Sequence, residues 1–140
     1  MPNPDAWKRS LKHDGGYRVL VYGGRDFTDE EVVYRALDKV HRARGVLCVI
    51  TGMARGADSL AWEWAKANRI PTAEYPISRG DWQTYGKGAG PIRNQRMLDQ
   101  GLPDVAIEFP GGSGTRDMRR RLDEKGVPVY EPCARSVESP

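Results

Sequence analysis

Residues 105–115 read VAIEFPGGSGT, a short apolar run followed at once by a glycine-rich turn. A strand that ends in glycines and feeds a helix is how many α/β proteins bind phosphate. Glycine lets the backbone approach an anion, and the first helical turn offers unpaired N–H groups. Ser113 and Thr115 add hydroxyl groups that either cap the helix or bond phosphate oxygens. This stretch therefore predicts an α/β fold with a nucleotide-type ligand.

Two earlier apolar runs also end in glycine. Residues 19–24 read VLVYGG and residues 47–52 read LCVITG, and segments of helical periodicity separate the apolar runs. Alternating strands and helices predict a Rossmann-like three-layer α/β sandwich with a mainly parallel sheet of about five strands. Since parallel strands end at the same edge of a sheet, we expect the glycine turns at 23–24, 52–56 and 111–114 to meet where such sheets bind ligands.

The regular pattern runs over residues 17–131 and predicts one nucleotide-binding domain there. Residues 1–16 are expected to form a flexible extension, and residues 132–140 a disordered tail. No apolar run approaches the roughly 20 residues that cross a bilayer, and the first residues lack a signal-peptide pattern. We therefore expect a cytoplasmic protein with no membrane partner.

The composition argues against a metal centre and gives weak support for nucleic acid. The two cysteines and two histidines are scattered along the chain, so neither a zinc site nor a disulfide framework is predicted. The net charge of +3 suits an anionic ligand, but acidic residues lie among the basic ones. A nucleotide-type small molecule is therefore expected ahead of nucleic acid, and no cofactor is predicted.

Charged side chains beside the glycine turns are candidates for ligand contacts. Asp58, in the first turn of a predicted helix, either accepts from a ribose hydroxyl or offsets the helix dipole. Arg93 either pairs with a phosphate across the rim or forms a surface salt bridge. The predicted nucleotide- or phosphate-binding residues are Gly23, Gly24, Arg25, Gly52, Arg55, Gly56, Asp58, Arg93, Asn94, Gly111, Gly112, Ser113, Gly114 and Thr115.

A polar, glycine-rich segment over residues 76–90 is predicted to be a long loop. It carries Trp82 and Tyr85, which either stack on a nucleobase or pack down as a hydrophobic lid. A helix is expected to begin at Gly90, because the next residue is Pro91 and proline is tolerated in the first turn of a helix.

Ordered blocks of sequence connect these turns. They are GGRDF at 23–27, TG at 51–52, ARGAD at 54–58, GPIRNQ at 90–95, FPGGSGT at 109–115 and DM at 117–118. With them the chain resembles the SLOG superfamily of Rossmann-like proteins, and within it the YspA-type branch. The resemblance covers about residues 17–131 and implies a homo-oligomer such as a dimer, because oligomers are common in that superfamily.

The resemblance implies several functions. The superfamily includes the lysine-decarboxylase-like LOG enzymes, which hydrolyse the N-glycosidic bond of nucleoside 5′-monophosphates, nucleotide-sensing domains of conflict systems, and the DNA-processing protein DprA. In the LOG pattern PGGxGTxxE the final glutamate is catalytic and an upstream arginine supports it. Arg93 matches that arginine and is the one catalytic candidate, but Met118 stands where the pattern has glutamate.

Methionine cannot act as a base or stabilise a cationic transition state, so direct transfer of the LOG mechanism fails at its central residue. Asp117 lies one residue earlier, about 100° around the helix, and is expected to point elsewhere. Glu74, Glu108 and Asp26 remain as carboxylates that could substitute.

Three hypotheses follow. The first is a protein that binds a nucleotide or nucleotide-derived ligand as a sensor, carrier or sequestering protein. The second is a nucleoside 5′-monophosphate phosphoribohydrolase that uses a displaced carboxylate. The third is a DprA-like module that binds single-stranded DNA, which predicts a salt-dependent affinity.

Overall fold

The computed structural model describes residues 5–9 and 15–133. Within them the β-strands are β1 Tyr17–Tyr22, β2 Val46–Thr51, β3 Thr72–Glu74, β4 Val105–Glu108 and β5 Val129–Tyr130. The α-helices are α1 Glu30–Arg44, α2 Ala57–Ala67, α3 Arg79–Tyr85, α4 Ala89–Gly101 and α5 Ser113–Lys125. Short 3-10 helices cover Ala6–Arg9 and Gly86–Gly88.

The strands form one sheet in the order β3-β2-β1-β4-β5, and every neighbouring pair is parallel. The central strand β1 pairs Val19 with Val49 on one side and with Val105 on the other. The predicted Rossmann-like fold is thereby confirmed. The strand order reverses between β1 and β4, which places the expected ligand crevice beyond their carboxyl ends.

Two apolar clusters cover the two faces of the sheet. Val19 and Val21 of β1 belong to the cluster that α1 and α2 complete, whereas Leu20 and Tyr22 belong to the cluster completed by α4 and α5. This alternation follows from the two-residue period of a strand. Both faces of the central strand β1 are therefore buried against helices.

The segment over residues 76–90 differs from its prediction as a loop, since α3 and a 3-10 helix occupy most of it. Ser78 and Asp81 form a capping box: Ser78 Oγ accepts from the Asp81 N–H at 3.0 Å, and Asp81 Oδ2 accepts from the Ser78 N–H at 3.2 Å. The loop prediction was wrong because the closely spaced glycines indicated a loop, and they were given more weight than the capping box at Ser78 and Asp81. Helix α4 likewise begins one residue before the predicted Gly90.

Residues 5–9 fall within the predicted flexible extension, yet they pack against the domain. The Trp7 side chain is 1% exposed, and its ring centroid lies 5.5 Å from that of Tyr130. The Lys8 carbonyl accepts from the Tyr17 hydroxyl at 3.2 Å and from Arg44 Nη2 at 2.7 Å. The rest of the extension, except residues 15 and 16, and the tail from residue 134 lie outside the described residues.

Candidate functional site

A cleft of about 480 Å³ opens at the carboxyl edge of the sheet. Its walls come from the three glycine turns, from α3 and from the helices α4 and α5. The predicted site residues that line it are Gly23, Gly24, Arg25, Asp58, Trp82, Arg93, Asn94, Gly112, Ser113, Gly114 and Thr115. Those that do not are Gly52, Arg55, Gly56, Gly111 and Tyr85.

Backbone contacts hold the three turns together at Gly24. Its N–H donates to the Pro110 carbonyl at 2.9 Å, and its carbonyl accepts from the Ala57 N–H at 3.4 Å. A Cβ at Gly24 would lie 2.7 Å from the Pro110 oxygen, and one at Gly56, where φ is 79°, would lie 2.3 Å from the Gly24 oxygen. Gly24 and Gly56 therefore allow close packing of the turns against each other, and this packing explains why both residues are glycine without any contact to an anion.

The glycines at the start of α5 are arranged differently. The first N–H groups of an α-helix have no intrahelical acceptor, and Gly112, the N-cap of α5, provides no side-chain acceptor for them. A Cβ at Gly112 or Gly114 would meet nothing within 4 Å. The start of α5 therefore borders the cleft with open space beside Gly112 and Gly114, and the positive end of a helix dipole there suits an anion.

Arg93 is a fixed cation in the cleft wall. Its Nη1 donates to the Gly52 carbonyl at 2.7 Å and, at 3.4 Å, to the Tyr75 carbonyl, while its Nε donates to Asn94 Oδ1 at 3.2 Å. Burial lowers the pKa of Arg93, and the negative charge of Asp58 opposes that shift. Among the described residues Arg93 has no ion pair within 4.0 Å, so the surface salt bridge considered from the sequence is not formed.

Asp58 is a buried carboxylate beside Arg93. The residue is 4% exposed, and its Oδ2 accepts from the Ala54 N–H at 3.4 Å. Burial raises the pKa of Asp58 to about 6, against the opposing effects of Arg93 and of the backbone N–H groups of Ala54 and Gly52. A carboxylate whose pKa is raised in this way by burial beside a charged partner in a cleft is a candidate functional residue.

Both side chains come close to Gly52 on the side where a Cβ would lie. A Cβ built on Gly52 would lie 2.4 Å from Arg93 Nη1 and 3.0 Å from Asp58 Oδ2. Gly52 thus contributes by leaving space for its neighbours, although it does not line the cleft itself.

Asp117 lines the cleft, so the expectation that it points elsewhere was wrong. Its Oδ2 accepts from Asn94 Nδ2 at 3.1 Å and from Arg121 Nε at 2.8 Å, which turns the carboxylate toward α4. Burial would raise the pKa of Asp117, but the hydrogen bonds from Arg121 and Asn94 outweigh it and hold the pKa below its usual value. Met118 also borders the cleft, but it is 1% exposed and its side chain belongs to the apolar cluster of α4 and α5.

The other carboxylates considered from the sequence lie away from the cleft. Glu74 accepts from Trp62 Nε1 at 2.9 Å, Glu108 accepts from the Tyr22 hydroxyl at 2.6 Å, and Asp26 does not line the cavity. Within the described part of the chain, Asp58 and Asp117 are thus the carboxylates of the cleft wall. Across the same residues no group of three or more His, Cys, Asp or Glu is placed to hold a metal ion.

Two basic side chains complete the charge of the cleft. Arg25 was predicted from the first glycine turn, whereas Lys87 was not, because the surrounding glycines indicated a loop of no fixed direction. Both are exposed, and neither forms an ion pair within the described residues. Of the two aromatic candidates, Trp82 lines the cleft and is 45% exposed, while Tyr85 lies outside it and is 48% exposed.

Comparison with known proteins places the chain in a family. A family model described as the YspA, cpYpsA-related SLOG family matches residues 17–85. The Gene 61 protein of Mycobacterium phage D29 is 39% identical over 117 residues, which cover 80% of this chain and 93% of that protein. The chain belongs to the YspA, cpYpsA-related SLOG family. The residues matched by the SLOG model include the first two glycine turns and α3, whereas α4 and α5 lie beyond them.

A solved structure shares the fold of this SLOG chain. DNA processing protein A (DprA) from Streptococcus pneumoniae superposes with a TM-score of 0.68 at 18% sequence identity. The match covers 98% of this chain and 54% of that one, so the SLOG chain spans about half the length of DprA. At this identity the similarity shows the fold alone. Within residues 5–9 and 15–133, no helix combines the length and apolar character that a membrane span requires.

Proposed function

We propose that this SLOG protein binds a nucleotide or nucleotide-derived ligand in the cleft, and acts as a sensor, carrier or sequestering protein. The observation that carries the proposal is the uncapped start of α5, where Gly112 and Gly114 face open space. Backbone N–H groups at a helix N-terminus favour an anion of the size of a phosphate group.

The charges of the cleft support the same ligand. Arg25 and Lys87 line it without a carboxylate partner in the described part of the chain, so their charges are available to a phosphate. Arg93 is committed to two backbone carbonyls and to Asn94, so it contributes a fixed positive potential rather than a mobile clamp. In this proposal the phosphate lies between α5 and Arg25, and Arg93 faces the interior of the cleft.

An apolar wall supports the nucleoside part of the ligand. Trp82 lines the cleft together with Ile77, Pro91 and Met97. An aromatic ring that is half exposed at a cleft is suited to stack on a base, and such stacking contributes about 1–3 kcal/mol.

Gly114 provides the sharpest test. We expect the purified protein to bind AMP, GMP or CMP more tightly than the matching nucleosides in isothermal titration calorimetry. Gly114→Glu places a carboxylate in the open space at the start of α5 and abolishes this preference by repelling the phosphate. Gly114→Ala, which changes the same residue without adding a charge, is the control and is expected to keep the preference for nucleotides over nucleosides.

Equal affinity for nucleotides and nucleosides would contradict the proposal. Short single-stranded DNA belongs in the same titration series. Tight binding of the oligonucleotide alone, with an affinity that falls steeply as salt rises, would favour the DprA-like alternative.

A second candidate, N-glycosidic hydrolysis of nucleoside monophosphates, is favoured by Asp58. This cleft carboxylate has a pKa raised to about 6 and lies beside a cation. In such a reaction the Asp58 carboxylate accepts a proton from the water that attacks the anomeric carbon. The carboxyl group then returns the proton to the departing base as the carbon–nitrogen bond breaks.

Base release separates binding from hydrolysis. Incubation with AMP, GMP, CMP or NAD, followed by chromatography of free bases, detects the reaction. If the protein is a hydrolase, Asp58→Asn reduces release by about 100-fold or more. Absence of any released base would leave binding as the function of the cleft.

A further inference from the structure

A chain of hydrogen bonds crosses the floor of the cleft from the second glycine turn to α5. It begins at the Gly52 carbonyl, which accepts from Arg93 at 2.7 Å, and continues from Arg93 Nε to Asn94 Oδ1 at 3.2 Å. Asn94 Nδ2 then donates to Asp117 Oδ2 at 3.1 Å and to the Gly114 carbonyl at 3.4 Å. Asn94 is therefore the link between the cation and the helix turn that offers its N–H groups to an anion.

The Asn94 amide is fully engaged by the protein. The residue is 6% exposed, its oxygen faces a guanidinium donor, and its nitrogen faces a carboxylate and a carbonyl. An amide is the side-chain group that accepts on one side and donates on the other, so a single residue satisfies both neighbours. These contacts leave Asn94 little capacity to bond a ligand directly, although the sequence predicts it as a nucleotide- or phosphate-binding residue.

We propose that Asn94 is a positioning residue that orients Arg93 toward Asp58 and ties both to the anion-binding turn of α5. The proposal rests on the proposed function for its ligand, but the orientation of Arg93 exists without one. Since Asn94 Oδ1 accepts from Nε, it fixes the plane of the guanidinium, and the Gly52 carbonyl then fixes Nη1. Without Asn94 only the contacts of Nη1 with the Gly52 and Tyr75 carbonyls remain, so the plane of the guanidinium is no longer fixed at Nε and its charge can shift away from Asp58.

The charge of Asp58 reports the position of Arg93. Two charged groups act on this carboxylate, Arg93 from α4 and, more weakly, Arg25 from the first glycine turn. Arg93 lowers the pKa of Asp58 against the effect of burial. If Arg93 moves away, the pKa of Asp58 rises, whereas a loss of helix packing elsewhere leaves it unchanged.

The test is the titration of the Asp58 carboxyl carbon by NMR in the ligand-free protein. We expect Asn94→Leu, which is nearly isosteric, to raise the midpoint by about one pH unit, since an opposite charge nearby shifts a carboxyl group by one or more units. Asn94→Ser makes the same change with a smaller, polar side chain in case leucine impairs folding. Arg93→Leu sets the largest shift that removal of the cation can produce.

Gln95→Leu is the matched control. Gln95 is the next residue of α4, and its Oε1 accepts from Arg121 Nη1 of α5 at 2.8 Å, so its loss weakens the α4–α5 contact without touching Arg93. We expect the Asp58 midpoint in Gln95→Leu to match that of the unmodified protein. An unshifted midpoint in both Asn94 variants, with thermal stability lowered as in Gln95→Leu, would show that Asn94 only packs the helices together.

AMP affinity separates this inference from the proposed function. At pH 8, where Asp58 is ionised in the unmodified protein, we expect Asn94→Leu to weaken AMP binding by about fivefold to tenfold, as for the loss of one ordinary hydrogen bond. No AMP binding by the unmodified protein would overturn the proposed function, while a shifted Asp58 midpoint would still support Asn94 as the residue that positions Arg93.

Discussion

Asp58 and Arg93 meet at the position where a Cβ of Gly52 would lie. A Cβ at that position would lie 2.4 Å from Arg93 Nη1 and 3.0 Å from Asp58 Oδ2, so the two side chains share the space that a larger residue would fill. This arrangement brings a carboxylate of raised pKa and a partly buried cation together in the cleft. The charge of the cleft therefore depends on a glycine that does not line it.

Gly52→Ala is expected to displace Arg93. The added methyl group would overlap its guanidinium, which is bonded to the carbonyl of the same residue. We expect a loss of about 1–3 kcal/mol in stability from overpacking, and AMP affinity about tenfold weaker in calorimetry. Gly90→Ala is the control, since Gly90 also lies on the cleft wall and a Cβ there meets nothing within 4 Å. Equal effects of the two substitutions would contradict this role of Gly52.

Asp58→Asn is expected to stabilise the protein above pH 6. Burial raises the folded-state pKa of Asp58 to about 6 from its ordinary 3.8, so the folded state binds the proton more tightly than the unfolded state. Stability from this group is fully present below about pH 4 and is lost as the pH rises through 6. At pH 8 we expect urea denaturation to give Asp58→Asn an advantage of about 1–3 kcal/mol that disappears near pH 4.

Asp117→Asn is the comparison of opposite sign. Hydrogen bonds and ion pairs hold the pKa of Asp117 below its usual value, so its charge stabilises the fold at neutral pH and that stability is lost on acidification. We expect Asp117→Asn to be less stable than the unmodified protein at pH 8. Loss of stability in both variants at that pH would contradict the burial-driven shift at Asp58.

Arg25 and Arg55 form a matched pair for the anion site. Each is exposed on a glycine turn, but Arg25 lines the cleft and Arg55 does not. We expect Arg25→Ala to weaken AMP binding by about tenfold, as for one charge-assisted contact, and Arg55→Ala to leave it within about twofold. The reverse order in calorimetry would place the phosphate nearer the second turn than we propose.

Trp82 and Tyr85 form a second pair, on α3. They are similarly exposed, at 45% and 48%, so neither substitution is expected to change stability much. Trp82→Ala is expected to reduce nucleotide affinity by about tenfold through lost stacking, whereas Tyr85→Ala, outside the cleft, has little effect. Quenching of tryptophan fluorescence by AMP, present in Tyr85→Ala and reduced in Trp82→Ala, provides the measurement. Equal quenching in both variants would rule out stacking on Trp82.

Met118→Glu is expected to destabilise the protein without creating hydrolase activity. The Met118 side chain is 1% exposed among apolar neighbours, and an unpaired carboxylate there costs several kcal/mol, about 3 or more. Met118→Leu, close in volume, costs less than about 1.5 kcal/mol. Chemical denaturation of both variants and a base-release assay check this. Base release by a stable Met118→Glu protein would contradict this prediction.

The fold could be predicted from the sequence because strands and helices differ in the spacing of their apolar residues along the chain. The apolar runs that end at 22, 51 and 109 form parallel strands, and the Rossmann-like architecture follows from their alternation with helices. The signal at Ser78 and Asp81 was also local, but four nearby glycines outweighed it. A helix of seven residues has too few periodic positions to be recognised without its cap.

By itself the sequence determined the Rossmann-like fold class, the family and the glycine turns beside the cleft, because these depend on spacing along one chain. Only the tertiary structure decided that Asp117 turns toward α4, that Met118 fills the core and that Asp58 lies beside Arg93. The direction of a helical side chain is set by what packs against it, and those partners come from segments 20 or more residues away. Contacts between segments so far apart cannot be read from the spacing of residues along the chain. The contacts of Asp58, Arg93 and Asp117 were therefore known only from the folded structure.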